Sequence, residues 1–316
     1  MSKNSDSGQT PRFMKNTSNY IKLLAGITAI SFSPLAVKLV TFTSTVSAFY
    51  RAFYAALFFL IISLFRYRRE KGPGHYRWLP PSLAAGVFLG IDLTVWHKTI
   101  IFLGAGPATF LGNSQVIFVT LFAAFIFREK MPAVYYMAVA MVLTGLYLLT
   151  PAAPLSAGRM KGYVMGLTVG FTYAGMLISL RYAKTLSAGE YPELLSLGAI
   201  FSAAASVIAL YAAAVEHSAL LLWDGRSHAI MMATAFMCQT LGWYLITKSI
   251  TEIPAHEGSL LLLLQPLLAT LWGCIFFLEP LGLLQVLGIV LTLAGITAYQ
   301  LRYAAKTSGP RLGFEE

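Results

Sequence analysis

Residues 105–127 read AGPATFLGNSQVIFVTLFAAFIF, and residues 255–277 read AHEGSLLLLLQPLLATLWGCIFF. The first stretch has no charged side chain; the second has one carboxylate, Glu257, in its opening turn. A helix needs about 20 mostly apolar residues to cross the hydrocarbon core of a bilayer. A transmembrane strand would be about 10 residues of alternating polarity. Both stretches are therefore spanning helices. They also resemble each other at an offset of 150 positions: Ala105 falls on Ala255, Thr109 on Ser259 and Gln115 on Gln265.

The match extends outward from this pair. Lys98-Thr99-Ile100 aligns with Lys248-Ser249-Ile250, Glu129 with Glu279, Leu143 with Leu293 and Gly145 with Gly295. At an offset of 140, Gly26 and Thr28 fall on Gly166 and Thr168. Comparable apolar runs give ten spans: 20–40, 46–65, 79–103, 105–127, 132–149, 161–182, 192–215, 229–250, 253–278 and 281–301. The expected organisation is a disordered cytoplasmic N-terminus over 1–19, one five-helix repeat over 20–150, a second over 151–302 and a cytoplasmic tail over 303–316. Val46-Ser47-Ala48 resembles a signal-peptide cleavage site, but the preceding run is long for such a signal and contains Lys38, so it reads as a retained first helix.

Bulk composition agrees. Of 316 residues 57% are hydrophobic and 11% charged, against roughly 25% charged in an average soluble domain; the mean hydropathy is +0.68. The net charge of +10 would suggest nucleic acid in a soluble chain, but here it follows the membrane topology. With the N-terminus inside, 17 of the 23 Lys and Arg residues fall on the cytoplasmic side, and only Arg159, Lys161 and Arg226 in outer loops. That bias sets orientation and places both termini in the cytoplasm. Five spans per repeat is an odd number, so the second copy is inverted, as in many carriers. The fold class is thus an all-α membrane protein of ten transmembrane helices in two inverted five-helix repeats.

The segment Asp92-Leu93-Thr94-Val95-Trp96-His97-Lys98-Thr99-Ile100, followed by residues 105–113, resembles the drug/metabolite transporter superfamily. Ile253-Pro254-Ala255 through Gln265-Pro266, with Phe277-Leu278-Glu279-Pro280-Leu281, resembles the closing signature of the EamA domain. The resemblance covers all ten spans. It implies that each repeat is one EamA unit, that spans 1, 3, 4, 6, 8 and 9 surround a central cavity, and that spans 5 and 10 are peripheral, a candidate homodimer contact. YddG-type exporters of aromatic amino acids belong to this superfamily, although no motif private to that subgroup is present.

Polar groups inside the spans are the candidate substrate contacts, because a charge at bilayer depth costs about 2.5–3.5 kcal/mol and usually faces a cavity or a partner. Asp92 lies mid-span, suited to a substrate amine, a proton or a structural hydrogen bond. Trp96 is one turn further on the same face, placed to stack on a substrate or simply to pack. His97 points about 140° away from Asp92 on the helical wheel. Asn113, Gln115 and Gln265 are amides that can orient a solute or hold helices together. Gln239 and Trp243 copy the Asp92–Trp96 spacing in the second repeat, and Tyr173 stands in span 6 among glycines that favour close packing. Glu257 suits a helix N-terminus, Arg51 and Lys38 read as topological or snorkelling charges, and Lys98 as a snorkelling one. Pro34, Pro254 and Pro266 are candidate kinks. Cys238 and Cys274 read as buried small hydrophobes.

No GxxxxGK[ST], HExxH or GxSxG motif occurs, so ATP, metal and serine chemistry receive no support, and no cofactor is expected. The expectation is a secondary transporter in the inner (cell) membrane, moving a small polar solute such as an amino acid outward by alternating access. Protons are a candidate coupling ion, and nucleic acid is not an expected partner. An exporter of cationic drugs is the alternative carrier, with Asp92 as counter-ion; a lipid enzyme or a channel is the alternative class.

Overall fold

The computed structural model describes residues 12–67, 76–103, 105–148, 159–187, 191–250, 252–278 and 280–308. The expectations for residues 1–11, Glu279, the Lys38 side chain and residues 309–316 lie outside the described ones. Among the described residues all elements are helical, and nine are long and apolar enough to span a membrane: α1 Thr17–Val37, α2 Ser44–Arg66, α3 Leu79–Thr99, α4 Ala108–Ile126, α6 Met160–Leu186, α7 Glu193–Glu216, α8 Gly225–Ile250, α9 Ala255–Phe277 and α10 Leu283–Arg302. The tenth, α5, is a shorter apolar helix, Ala133–Leu148. The N-terminal helix begins at Arg12 and the C-terminal one runs to Ser308, so each extends beyond its apolar run.

The contacts obey a pseudo-twofold relation. α1 packs on α8 as α6 packs on α3; α4 meets α6 as α9 meets α1; α2–α7, α4–α9 and α5–α10 are self-matched pairs. Followed in turn, α1, α8, α2, α7, α3, α6, α4 and α9 close into a ring, with α5 and α10 paired outside it. The ring therefore includes α2 and α7, which the six-helix arrangement omits.

Glycines fix the tightest approaches. A Cβ at Gly86 of α3 would stand 2.4 Å from the Ile200 carbonyl oxygen of α7, and one at Gly145 of α5 would stand 2.5 Å from the Gly288 carbonyl oxygen of α10. Neither backbone can yield, so only glycine permits these contacts. Tyr135 and Tyr299 fill the inner end of the α5–α10 seam edge to face, their ring centroids 5.6 Å apart.

Three helices are interrupted. α1 breaks at Phe32, where Pro34 sits in the first turn of the segment Ser33–Leu39. α9 breaks at Leu263, ahead of Pro266. α4 breaks at Asn113–Ser114 without a proline. Asn113 and Leu263 are equivalent under the 150-residue offset, so the two units bend at one register.

Candidate functional site

α2 enters from the side the charge bias assigns as outer, and α3 from the inner side. Arg51 is seven residues from Ser44, where α2 begins, and Asp92 eleven from Leu103, where the α3 helix ends, so at about 1.5 Å per residue they lie roughly 10 and 16 Å below the outer helix ends. Arg51 is only 8% exposed. It stands within electrostatic range of Asp92, of His97 and of Cys238 on α8. The snorkelling or topological role expected for Arg51 is thereby corrected: the side chain is buried within the bundle, in range of Cys238 of α8. Its Nε has no hydrogen-bond partner among the described residues.

Asp92 is half-buried and accepts a hydrogen bond from the Thr172 hydroxyl of α6 at 3.3 Å. Tyr173, next along α6, lies within electrostatic range of Asp92. The Tyr173 hydroxyl points to Gln265 Oε1 of α9 at 3.5 Å, and its ring meets Trp243 of α8 edge to face with centroids 6.3 Å apart. Five helices thus contribute to one polar group at mid-depth: Arg51, Asp92, Tyr173, Trp243 and Gln265. His97 is buried on the far side of α3, where its Nδ1–H donates to the Leu93 carbonyl at 2.7 Å, and Nε2 has no partner among the described residues. Its hydrogen bond is made within its own helix rather than to a neighbour.

Gln239 lies in a π-helical stretch, Ala235–Gly242, that α2 packs against. The side chain is 4% exposed, and its Nε2 has no partner among the described residues. Such wide turns recur at functional sites. Trp96 is half-buried beside Gly112 of α4, its Cδ1 3.9 Å from where a Cβ there would stand. Trp243, by contrast, is 4% exposed within the main apolar core. The two amides of α4 stand apart from the group. Asn113 Nδ2 donates to the Thr109 carbonyl at 2.7 Å, within its own helix. Gln115 is fully buried and donates to the Ser259 carbonyl of α9 at 3.3 Å, tying the two interrupted helices together.

Charged networks close both ends. On the outer side Lys98 pairs with Glu216 of α7 at 3.1 Å and lies over the Tyr211 ring, where snorkelling alone was expected. On the inner side Glu129, in the α4–α5 turn, joins the two units. It pairs with Arg181 Nη2 of α6 at 2.9 Å, accepts the His256 Nδ1–H at 2.8 Å, and takes the Ala255 N–H that opens α9 at 3.1 Å. Arg181 Nη1 in turn donates to the Ile253 carbonyl at 3.0 Å. Glu129 therefore caps the first N–H of α9 from outside the helix. Glu257 lies in the first turn of the same helix, as expected, where it is fully buried and accepts the Tyr20 hydroxyl of α1 at 2.6 Å. Burial pushes the Glu129 carboxyl up, but the hydrogen bonds from His256 and Ala255 and the Arg181 charge outweigh it and hold it below the usual carboxylate range. Cys238 is buried as expected, whereas Cys274 is half-buried; both are free thiols. Among the described residues no His/Cys/Asp/Glu cluster could hold a metal.

Two matched helical units closed around polar side chains at mid-depth define a multi-pass membrane transporter. Residues 17–150 and 160–299 each match the EamA-like transporter family, and the chain belongs to that family. It is 25% identical over 195 residues to the "Uncharacterized transporter YwfM" of Bacillus subtilis, a match covering 61% of this chain and 63% of that protein. The chain thus spans a little under two thirds of that curated relative's length. A solved structure titled "Crystal structure of protein" aligns over 93% of this chain and all of its own, with a TM-score of 0.76 at 14% identity, a likeness of fold.

Proposed function

We propose that this chain is a secondary transporter that exports small polar metabolites, amino acids foremost, across the inner membrane by alternating access. The observation that carries the reading is the eight-helix ring of two pseudo-symmetric units around the Arg51–Asp92–Tyr173–Trp243–Gln265 group. A solute held there contacts both units, so rocking of one unit on the other carries it from one side to the other. The ion pairs at the two ends, Lys98–Glu216 and Glu129–Arg181, are then the contacts that exchange as the sides alternate. The α5–α10 pair outside the ring serves as a scaffold.

The test is flux into proteoliposomes of purified protein, with labelled amino acids and amines, with and without a pH gradient. Saturable flux of an amino acid, with accelerated counterflow when unlabelled solute is loaded on the far side, supports the proposal. Flux that rises linearly with concentration sinks it in favour of a channel. A pH gradient that drives accumulation identifies protons as the coupling ion.

A further inference from the structure

The connection between α7 and α8, residues 217–224, reads HSALLLWD. Apolar side chains along it lack protein cover. Leu221 is 85% exposed and Trp223 99%, the most exposed of the large apolar residues described, and Leu222 between them is exposed as well. Leu220, by contrast, packs against the small apolar cluster of Ala36, Phe42, Val46, Tyr50 and Met231.

This exposure does not come from slack. Tyr50 of α2 donates its hydroxyl to the Leu220 carbonyl at 2.8 Å. His228 of α8 donates its Nε2–H to the Leu222 carbonyl at 2.6 Å, while its Nδ1 accepts the Tyr54 hydroxyl at 2.8 Å. At one end the Ser218 N–H bonds back to the Ala212 carbonyl of α7 at 3.1 Å. At the other, Asp224 caps α8: its Oδ1 accepts the Arg226 N–H at 3.2 Å and its Oδ2 the Thr41 hydroxyl at 2.8 Å. The loop is pinned along its length with a leucine and a tryptophan turned outward.

Its depth follows from the helices that hold it. Tyr50 stands six residues inside the start of α2 at Ser44, and His228 three inside that of α8 at Gly225, or about 9 and 4.5 Å at 1.5 Å per residue. The loop therefore lies level with the first turns of these helices rather than projecting beyond them. Charge brackets it: Glu216, paired with Lys98 at 3.1 Å, closes α7, and Asp224 opens α8. The last turns of α7 leading into it are exposed and apolar too, at Leu210 and Val215, as a lipid-facing helix surface is.

These features select one occupant. Large apolar side chains held in water forgo the gain of burial. An indole has an apolar body and a single N–H donor, which suits the level where headgroups meet acyl chains. The open peptide groups of an irregular loop cannot enter hydrocarbon, which keeps the segment at that boundary instead of deeper. A lipid surface meets both requirements, and in a membrane-spanning chain it already lies beside this edge.

We infer that residues 219–223 form an interfacial anchor, with Leu221 and Trp223 seated among the headgroups and upper acyl carbons of the outer leaflet. The anchor depends on membrane topology alone and holds whatever the solute. Because the carbonyls of Leu220 and Leu222 hold Tyr50 and His228, the same loop fastens the outer ends of α2 and α8 to the lipid surface.

The experiment uses the full chain in phosphatidylcholine liposomes whose acyl chains are brominated near the headgroup, brominated near the bilayer centre or left plain. Iodide on both sides is the aqueous quencher. Trp223 is read as the difference in emission between the parent and Trp223→Phe, a subtraction that leaves the chain's other tryptophans untouched. Since the side chain lacks protein cover, Trp223→Phe should keep the parent's melting midpoint. Shallow bromine should remove about half or more of the Trp223 emission and deep bromine clearly less, and iodide should quench it about 5-fold less than N-acetyltryptophanamide in solution, as an interfacial indole requires. Trp223→Cys in a Cys238→Ala, Cys274→Ala background, carrying a nitroxide, is the second variant. Its collisions with dissolved oxygen should exceed those with a water-soluble nickel chelate.

Iodide quenching equal to that of the free indole, with no effect of either brominated lipid, puts the loop in water and overturns the anchor. Protection from iodide and from both lipids overturns it as well, since protein then covers the loop. Stronger quenching by deep than by shallow bromine ends the interfacial placement.

Discussion

Glu129→Gln removes the charge at the centre of the inner network while keeping its shape. The carboxylate serves Arg181, His256 and the first N–H of α9. With Glu129 and Arg181 side chains 15% and 21% exposed, solvent screening removes little. A hydrogen bond to a charged group is worth about 1.5–3 kcal/mol, and an anion at a helix N-terminus about 0.3–1 kcal/mol. The amide still accepts one bond, so a net loss of about 2 kcal/mol is expected. At about 1.4 kcal/mol per tenfold, that shifts an open–closed equilibrium of the inner side roughly 30-fold toward open. Beneath the network lies a small cavity lined by Val119, Leu177, Ile178, Arg181, Ile250 and Ala255. In a Cys238→Ala, Cys274→Ala background, Leu177→Cys should react slowly with a membrane-impermeant maleimide from the inner side. Glu129→Gln should accelerate it about 10- to 30-fold. Equal labelling rates with and without Glu129→Gln would refute the reasoning. The pH sign follows from the depressed carboxyl. Its contribution is complete above the unfolded carboxylate pKa of about 4.3 and is lost as pH falls through the lower folded value. Since only the thiolate reacts, the rate is read relative to an exposed cysteine at the same pH, and that ratio should stay low from pH 8 down to about 5 and rise only in stronger acid.

Gly145→Ala should destabilise the chain by about 1–3 kcal/mol, read as a lowered midpoint in thermal unfolding in detergent, since its Cβ would meet Thr292 Oγ1 at 2.3 Å and the Gly288 carbonyl at 2.5 Å. The two tryptophans should separate. Trp243→Ala, emptying a site 4% exposed, should cost about 3–5 kcal/mol of stability, whereas half-buried Trp96→Ala should lower flux about 10-fold with a nearly unchanged melting midpoint. Trp272 donates to the Ser31 hydroxyl at 2.7 Å and stacks on Phe32 with centroids 4.5 Å apart, so Trp272→Phe should keep the stack and lose about 1 kcal/mol, measured by the same melts.

The ten spans could be read from the sequence because hydrocarbon imposes one requirement, an apolar length, that hydropathy reports directly. The repeat was visible for a similar reason: Gly145 and Gly295 occupy matched close approaches across the α5–α10 pair, whereas Gln115 and Gln265 align in sequence but meet different partners. Breaks near Pro34 and Pro266 were readable from lost backbone donors. The break at Asn113–Ser114 was not, since no residue there forbids a helix. The site was visible only in part. Asp92 declared itself by charge at depth, but which face of α2 turns inward depends on its packing against α7 and α8, and that information is not local. Arg51 therefore read as a topological or snorkelling charge. Likewise Glu257 lies in the first turn of α9 as its position suggests, but the carboxylate that takes the opening Ala255 N–H is Glu129, from the other unit and 126 residues away. Contacts between distant segments override a reading confined to one.

The paired interruptions at Asn113 and Leu263 bear on how this molecule can be dissected. Where a helix stops and restarts, peptide N–H and C=O groups lose their usual partners along the coil, and one such joint is present in each half. Whatever those amide dipoles contribute to a passing solute is written in main chain, beyond the reach of any alanine scan. Amide-to-ester substitution at the two joints, set beside a map of side-chain replacements, is the chemistry that would show whether main chain takes part in recognition.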